Sequence, residues 1–284
     1  MKSDGGRSAD LEMRISSRKL DEYALAATQV AREAGRFLKE HLHDRFAVSR
    51  KGEIDLVTEF DLAAEHLIVT RLASAFPEST VLSEETHTEA DSSAVTWIID
   101  PLDGTTNFAH GLPIFSVSIG LEIDGALEWG IVYNPNLEEA FVARRGGGAF
   151  LNGDPIKVSE TKSLGSSLLA TGFPYDIRTS AKNNLNYFRV FALRAQGIRR
   201  GGSAALDLCY VAAGRFDGFW EMKLHPWDCA AGYLMVREAG GMVTNWRGEF
   251  GSIYERECLA SNAQIHEQMM AVLRETSAPD WGAA

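Results

Sequence analysis

The chain has 284 residues, with 28 basic and 39 acidic side chains, a formal net charge of −11 and 45% hydrophobic residues. That balance supplies a sizeable core and argues against broad electrostatic binding to nucleic acid or to an anionic membrane. No apolar run approaches the ~18 residues of a membrane span, and the three cysteines, Cys209, Cys229 and Cys258, show no disulfide or zinc spacing, so a reduced, cytoplasmic setting is expected.

Residues 1–18 are polar and lack the apolar core of a signal peptide. They are expected as a tail, as are residues 276–284, around one unit spanning 19–275. From Lys19 to about His43, Tyr23, Ala27, Val30, Ala34 and Phe37 recur at helical spacing. A second helix is expected from about Glu59 to Ala75, with Ala64, Leu67, Ile68 and Leu72 on one face and Phe76-Pro77 ending it. Two short strands follow, TVLS and AVTWIID. IFSVSIGLEI, ALEWGIVYN and EEAFVAR then read as strands, the first two joined by Asp124-Gly125, a strong hairpin signal. The run Gly146-Gly147-Gly148 lacks nucleotide-loop spacing and reads as a turn.

The later part alternates: strand SSLLATG, a helix around Ala181–Ala195, strand GIRR, a helix from Ser203 to about Ala213, strand RFDGFWE, a helix from HPWD to Glu238, strand CLASN and a helix near Ala263–Leu273. No low-complexity linker or internal repeat divides the chain. The fold expected is α/β, one compact unit of alternating helix and sheet layers (αβαβα) with two β-sheets.

Acidic residues gather at element ends. In WIIDPLDGTTNF, residues 97–108, Asp100 closes an apolar strand and Asp103 falls in the expected turn beyond it. Glu84-Glu85 follow TVLS, Asp228 follows Pro226 at a helix start, and Asp55 and Asp61 flank another. Singly, each has a plain role: Asp228 a helix cap, Asp103-Gly104 a turn, Glu84-Glu85 a solvated pair, Asp61 a first-turn acid. Asp100 is harder to place, because no basic residue lies near it in sequence. Were Glu84, Asp103 and Asp228 to converge on it, they would repel and demand protons or cations. Oxygen ligands select Mg²⁺, Mn²⁺ or Ca²⁺, and Mg²⁺ suits a phosphate partner best. Gly104-Thr105-Thr106 offers backbone N–H groups able to hold that phosphate. Four carboxylates with a phosphate monoester of about −2 would balance three Mg²⁺.

At this point the sequence resembles the inositol monophosphatase family of lithium-sensitive, Mg²⁺-dependent phosphatases, in its bacterial form. WIIDPLDGTTNF is similar to that family's central motif. DLVTEFD at 55–61, LSEE at 82–85, GSAALDLCYVAAGRFDGFWE at 202–221 and HPWDCAAGYLMVREAGG at 225–241 match in order, over about residues 20–275. The resemblance implies that Glu84, Asp100 and the Leu102 carbonyl bind one Mg²⁺. Asp100, Asp103 and Asp228 bind a second, and a third leans on Glu84. It implies that Thr105 and Asp61 orient and deprotonate the attacking water, and that Gly104, Thr105 and Thr106 hold phosphate. Asp103, Ser203, Ala204, Glu221 and Asp228 would meet a sugar-like ring, and Lys51 would lie in a loop that closes near the site.

Hydrolysis of inositol 1-phosphate is the activity implied, and Glu221, an acid suited to ring hydroxyls, favours it. Relatives hydrolyse fructose 1,6-bisphosphate, histidinol phosphate, adenosine 3′,5′-bisphosphate or NADP, and Arg199-Arg200 suits either a second phosphate or a structural contact. Some bacterial relatives partner transcription antitermination machinery, with catalysis dispensable to that role; the two roles are not exclusive, and Arg189, Arg194, Arg199 and Arg200 lend a basic surface to the second. A homodimer and lithium inhibition are also implied.

Overall fold

The computed structural model describes residues 16–44, 48–50, 56–86 and 94–276. The expected tails lie outside these apart from residues 16–18 and 276, and so do Lys51 and Asp55.

Helix α1 (Ser17–His41) opens on Ser16, whose Oγ accepts from the Lys19 N–H at 3.2 Å. It buries Leu20, Tyr23, Ala27, Val30, Ala34 and Leu38 on one stripe. Strands β1 (Val48–Arg50) and β2 (Leu56–Thr58) make an antiparallel ribbon. Helix α2 (Glu59–Ala75) starts on a capping box: the Thr58 N–H donates to Asp61 Oδ2 at 2.8 Å, and Thr58 Oγ1 accepts from the Asp61 N–H. A box of this kind satisfies orphan donors at both positions, which is why the expected start at Glu59 holds.

A seven-stranded sheet follows. Strands β3 (Thr80–Ser83) and β4 (Val95–Asp103) pair in parallel. From β4, an antiparallel meander runs through β5 (Ser116–Ile123), β6 (Ala126–Asn134), β7 (Glu139–Arg144), β8 (Gly148–Leu151) and β9 (Asp154–Pro155). Between β4 and β5 lies the short helix α3 (Thr105–Ala109). Asp103 is thus the last residue of β4 rather than part of a turn beyond it. The strand continues through Pro101 because its register breaks: Asp100 pairs with Ser118 but Asp103 with Ser116, one extra residue on β4. Residues three apart on a regular strand face opposite sides. The bulge restores the parity and brings both carboxylates to one side.

The second sheet orders β11 (Gly197–Arg199), β10 (Leu168–Thr171), β12 (Gly218–Met222), β14 (Glu257–Ser261) and β13 (Met242–Thr244), the first three parallel. Strand β13 was not anticipated. Helix α4 (Leu185–Arg194) begins four residues later than expected. Asn184 before it is left-handed at φ 73°, and its buried side chain bonds Thr171 Oγ1, the Gly172 carbonyl and the Trp220 indole N–H.

The layers are α1 and α2, the seven-stranded sheet, α5 (Ala204–Ala212) with α6 (Pro226–Glu238), the five-stranded sheet, and α4 with α7 (His266–Thr276). Cores fill the interfaces: Ile68, Trp97 and Ile119 in the first, Val132, Leu208, Cys229 and Phe219 in the central one, and Phe191, Trp220 and Met269 in the last. Cys209 and Cys229 are core residues, as expected. Helix α6 lies close on the sheet because β6 has no side chain at Gly130, where a Cβ would stand 2.9 Å from Ala231 Cα. That approach fixes the N-terminus of α6, and with it Asp228.

His266, 2% exposed, sits between Thr244 Oγ1 at 3.0 Å and Ser261 Oγ at 2.9 Å. Burial holds its pKa down, from 6.5 to about 4. A depressed histidine contributes stability that is complete above its unfolded pKa and lost as pH falls toward the folded one. Between pH 7 and 4.5 the wild-type protein should therefore lose about 2–3 kcal/mol of unfolding free energy relative to His266→Gln, whose other titrating groups are the same. Equal pH dependence in both proteins would contradict this.

Candidate metal and phosphate site

One cavity of about 370 Å³ opens where the ends of β3, β4 and β12 meet the starts of α3, α5 and α6. Its walls include Glu84, Asp100, Leu102, Asp103, Gly104, Thr105 and Thr106 on one side, and Ser203, Ala204, Glu221 and Asp228 on the other. All the residues expected in the site except Asp61 therefore line it, and Asp61 stands directly behind.

Asp61 is fully buried, and its Oδ1 accepts from Thr105 Oγ1 at 2.8 Å. Its other oxygen takes the Thr58 N–H at 2.8 Å and Thr58 Oγ1 at 2.5 Å. The capping box that starts α2 therefore also aims this carboxylate at Thr105, 44 residues away in sequence. Thr105 Oγ1 is 3.2 Å from the Leu102 carbonyl as well. Gly104, with φ 109°, adopts a conformation that L side chains avoid, and a Cβ there would stand 3.0 Å from the Ile114 carbonyl. Asn107 ties this turn to the next loop, donating from Nδ2 to the Ile114 and Gly201 carbonyls at 2.7 and 2.8 Å.

Asp100, 2% exposed, accepts from the Leu102 N–H at 3.0 Å. Desolvation pushes its pKa well up, and the charges of Glu84, Asp103 and Asp228 push it further. Asp228 keeps some surface open to the cavity, yet desolvation raises it strongly too, followed by Glu84, against the His225 N–H that donates to its Oδ2 at 2.6 Å. Burial lifts Asp103 to about 6, opposed by four donors: Ser203 Oγ, the Ala205 N–H at 2.9 Å, the Ala204 N–H at 3.2 Å and Ser116 Oγ at 3.4 Å. Asp103 therefore also caps α5, and Asp228 also caps α6. The structural and the chemical reading of these acids coincide, because a helix start offers donors that make a buried carboxylate tolerable.

Glu84 is positioned from outside the cavity. The buried Glu65 of α2 accepts from the Glu85 N–H at 2.8 Å, and the Glu84 N–H donates to the Ile99 carbonyl at 3.2 Å. Glu65 and Asn107 are invisible in the sequence, since a helix-interior acid and a turn amide carry no signal of their own. Asp207, hidden in an apolar helix, and Lys223 and Arg256 are equally silent there, yet all three line the cavity. The four arginines expected as one basic surface are all exposed, but they divide: Arg194 pairs with Glu275 at 2.6 Å, and of the four only Arg200 lines the cavity.

Among the described residues, no group of three or more His, Cys, Asp or Glu side chains closes around a single ion-sized point. Asp103 and Asp228 are turned partly to their cap donors, and Asp100 to the Leu102 N–H. The donor set still fits a hard divalent cation: every group is an oxygen, and Asp100 and Asp228 sit in mutual repulsion with Glu84.

Residues 19–278 match the inositol monophosphatase family. The chain belongs to that family. It is 42% identical over 252 residues to the Nus factor SuhB of Escherichia coli K12, covering 88% of this chain and 94% of that one. It is 41% identical over 250 residues to the inositol-1-monophosphatase of Mesorhizobium japonicum, covering 87% and 94%. The solved inositol monophosphatase of Anabaena superposes with a TM-score of 0.84 at 40% identity, covering 94% of this chain and all of that one. Among the described residues no helix is long and apolar enough to cross a membrane.

Proposed function

We propose that this family member is a cytoplasmic, Mg²⁺-dependent phosphomonoesterase acting on inositol 1-phosphate and similar polyol phosphates. The observation that carries the reading is one cavity holding the repelling acids Glu84, Asp100 and Asp228 beside the Asp61–Thr105 pair. Glu84, Asp100 and the Leu102 carbonyl would hold one ion, and Asp100, Asp103 and Asp228 a second, with room for a third at Glu84. Bound magnesium supplies Lewis acidity and neutralises phosphoryl charge.

The chain's own groups do the rest. The N–H groups of Gly104, Thr105 and Thr106 hold the phosphoryl oxygens at the turn. Thr105 gives its hydroxyl proton to Asp61 Oδ1, so its oxygen faces the attacking water as an acceptor. Water loses a proton to that oxygen as it attacks phosphorus in line, and the Thr105–Asp61 pair then releases that proton to solvent; the leaving alkoxide, on the opposite side of phosphorus, takes its proton from a water on the Asp103–Asp228 side. Glu84 orients the same water. Asp103, Asp228, Glu221 and the backbone at Ser203-Ala204 face the leaving group. Lithium should inhibit, and a homodimer is the expected assembly.

The test is phosphate release at fixed Mg²⁺ across a panel of monoesters and bisphosphates, with inositol 1-phosphate expected to give the highest kcat/KM. Release from none of them would overturn the reading. A second role, as a partner of transcription machinery, is favoured by the 42% identity to a protein named a Nus factor. A low-salt pull-down that recovers no polymerase or antitermination component would remove it.

A further inference from the structure

The cavity's second wall holds a carboxylate that the phosphatase reading does not use. Asp207, 3% exposed, projects from the first turn of α5 and lines the cavity. No donor among the described residues hydrogen-bonds it, although a buried carboxylate without partners is costly. Capping does not account for it, because Ser203 Oγ already takes the Leu206 N–H and Asp103 takes those of Ala204 and Ala205. The backbone instead makes room for it. A side chain at residue 201 would place its Cβ 2.9 Å from Asp207 Oδ1, and one at residue 172 would overlap the neighbouring Glu221 carboxylate. Gly172 and Gly201 thus clear space for two acid heads on one wall. Arg200 lines the same wall and interacts electrostatically with both.

We infer that Asp207 and Arg200 form, beside Glu221, a hydroxyl-reading subsite that selects phosphate monoesters of neutral polyols. This rests on the phosphatase reading. Carboxylates accept from hydroxyl groups and a guanidinium donates to them, so adjacent hydroxyls on a ring meet complementary partners. A second phosphate does not fit. Asp207 and Glu221 both face Arg200, Lys223 is paired with Asp176 at 2.5 Å, and the cavity's other guanidinium, Arg256, donates to the Lys223 carbonyl at 3.1 Å and to the His225 ring at 2.9 Å. Asp207 is a specificity determinant rather than part of the phosphoryl-transfer machinery.

The experiment compares kcat/KM for inositol 1-phosphate and p-nitrophenyl phosphate, which has no hydroxyls to read, in wild type and Asp207→Asn at saturating Mg²⁺. Loss of the Asp207 hydrogen bond to a ring hydroxyl should cost inositol phosphate roughly five- to a hundred-fold, and the aryl ester several-fold less. The aryl ester reports on the fold of the variant. Equal loss on both substrates, with wild type active, overturns the subsite and leaves the phosphatase reading standing. Wild type inactive on both overturns the two together. A third arm uses fructose 1,6-bisphosphate: if Arg200→Gln costs it more than inositol phosphate, the arginine reads phosphate and the inference fails.

Discussion

Asp100→Asn is expected to raise the melting temperature of the metal-free protein while abolishing Mg²⁺-dependent phosphate release. Asparagine is isosteric, and its Oδ1 keeps the acceptor role toward the Leu102 N–H. What it removes is one negative charge from a buried set in which Glu84, Asp103 and Asp228 all act against Asp100. Relief of uncompensated buried charge stabilises by about 1–3 kcal/mol, each kcal/mol moving the melting temperature of a chain near this size by about 2–4 °C. The same carboxylate is the oxygen donor shared by both proposed ions, so turnover should fall roughly 10²–10³-fold or more. The two effects have opposite signs, which a general folding defect cannot produce. Thermal melts in chelator and in Mg²⁺, with phosphate assays alongside, check both.

Thr105→Val should fall by roughly 10²–10⁴ in kcat with KM and magnesium uptake little changed. Valine fills the same space but cannot accept a proton from water or pass one to Asp61 Oδ1. Asp61 keeps its two contacts from Thr58, so the stability cost is limited to about 1–2 kcal/mol for the lost hydrogen bond. Thr105→Ser restores the hydroxyl and should recover most of the rate. Activity of the valine variant within threefold of wild type would remove Thr105 from the chemistry.

How far the sequence discloses this site depends on the kind of signal each residue sends. Helix α2 is legible at both ends, because Asp61 and Phe76-Pro77 are local start and stop chemistry. The meander was legible from alternation and from Asp124-Gly125, both of which take positive φ. The convergence of Asp100 with Asp103 was legible only through the family resemblance. Period-two alternation alone would place them on opposite faces, and the bulge that reverses this involves pairing with Ser116 and Ser118 on another strand. Asn184 was illegible for a similar reason: its partners Thr171, Gly172 and Trp220 come from β10, β12 and the loop after β10. Asp207 carries no signal because its neighbours Ala205, Leu206, Leu208 and Cys209 make the segment read as a core helix. Arg200 looked like the twin of Arg199, yet only Arg200 reaches the cavity. In each case the missing information was tertiary.

The central claim is that the acids of this cavity are held together to take up divalent cations. Calorimetric titration of Mg²⁺ into the purified chain tests it most directly, with Asp100→Asn as the reference. Saturable uptake by wild type, over the concentration range in which phosphate release develops and much weakened in the variant, is the predicted result. No detectable uptake by wild type, or identical uptake by both, would contradict it.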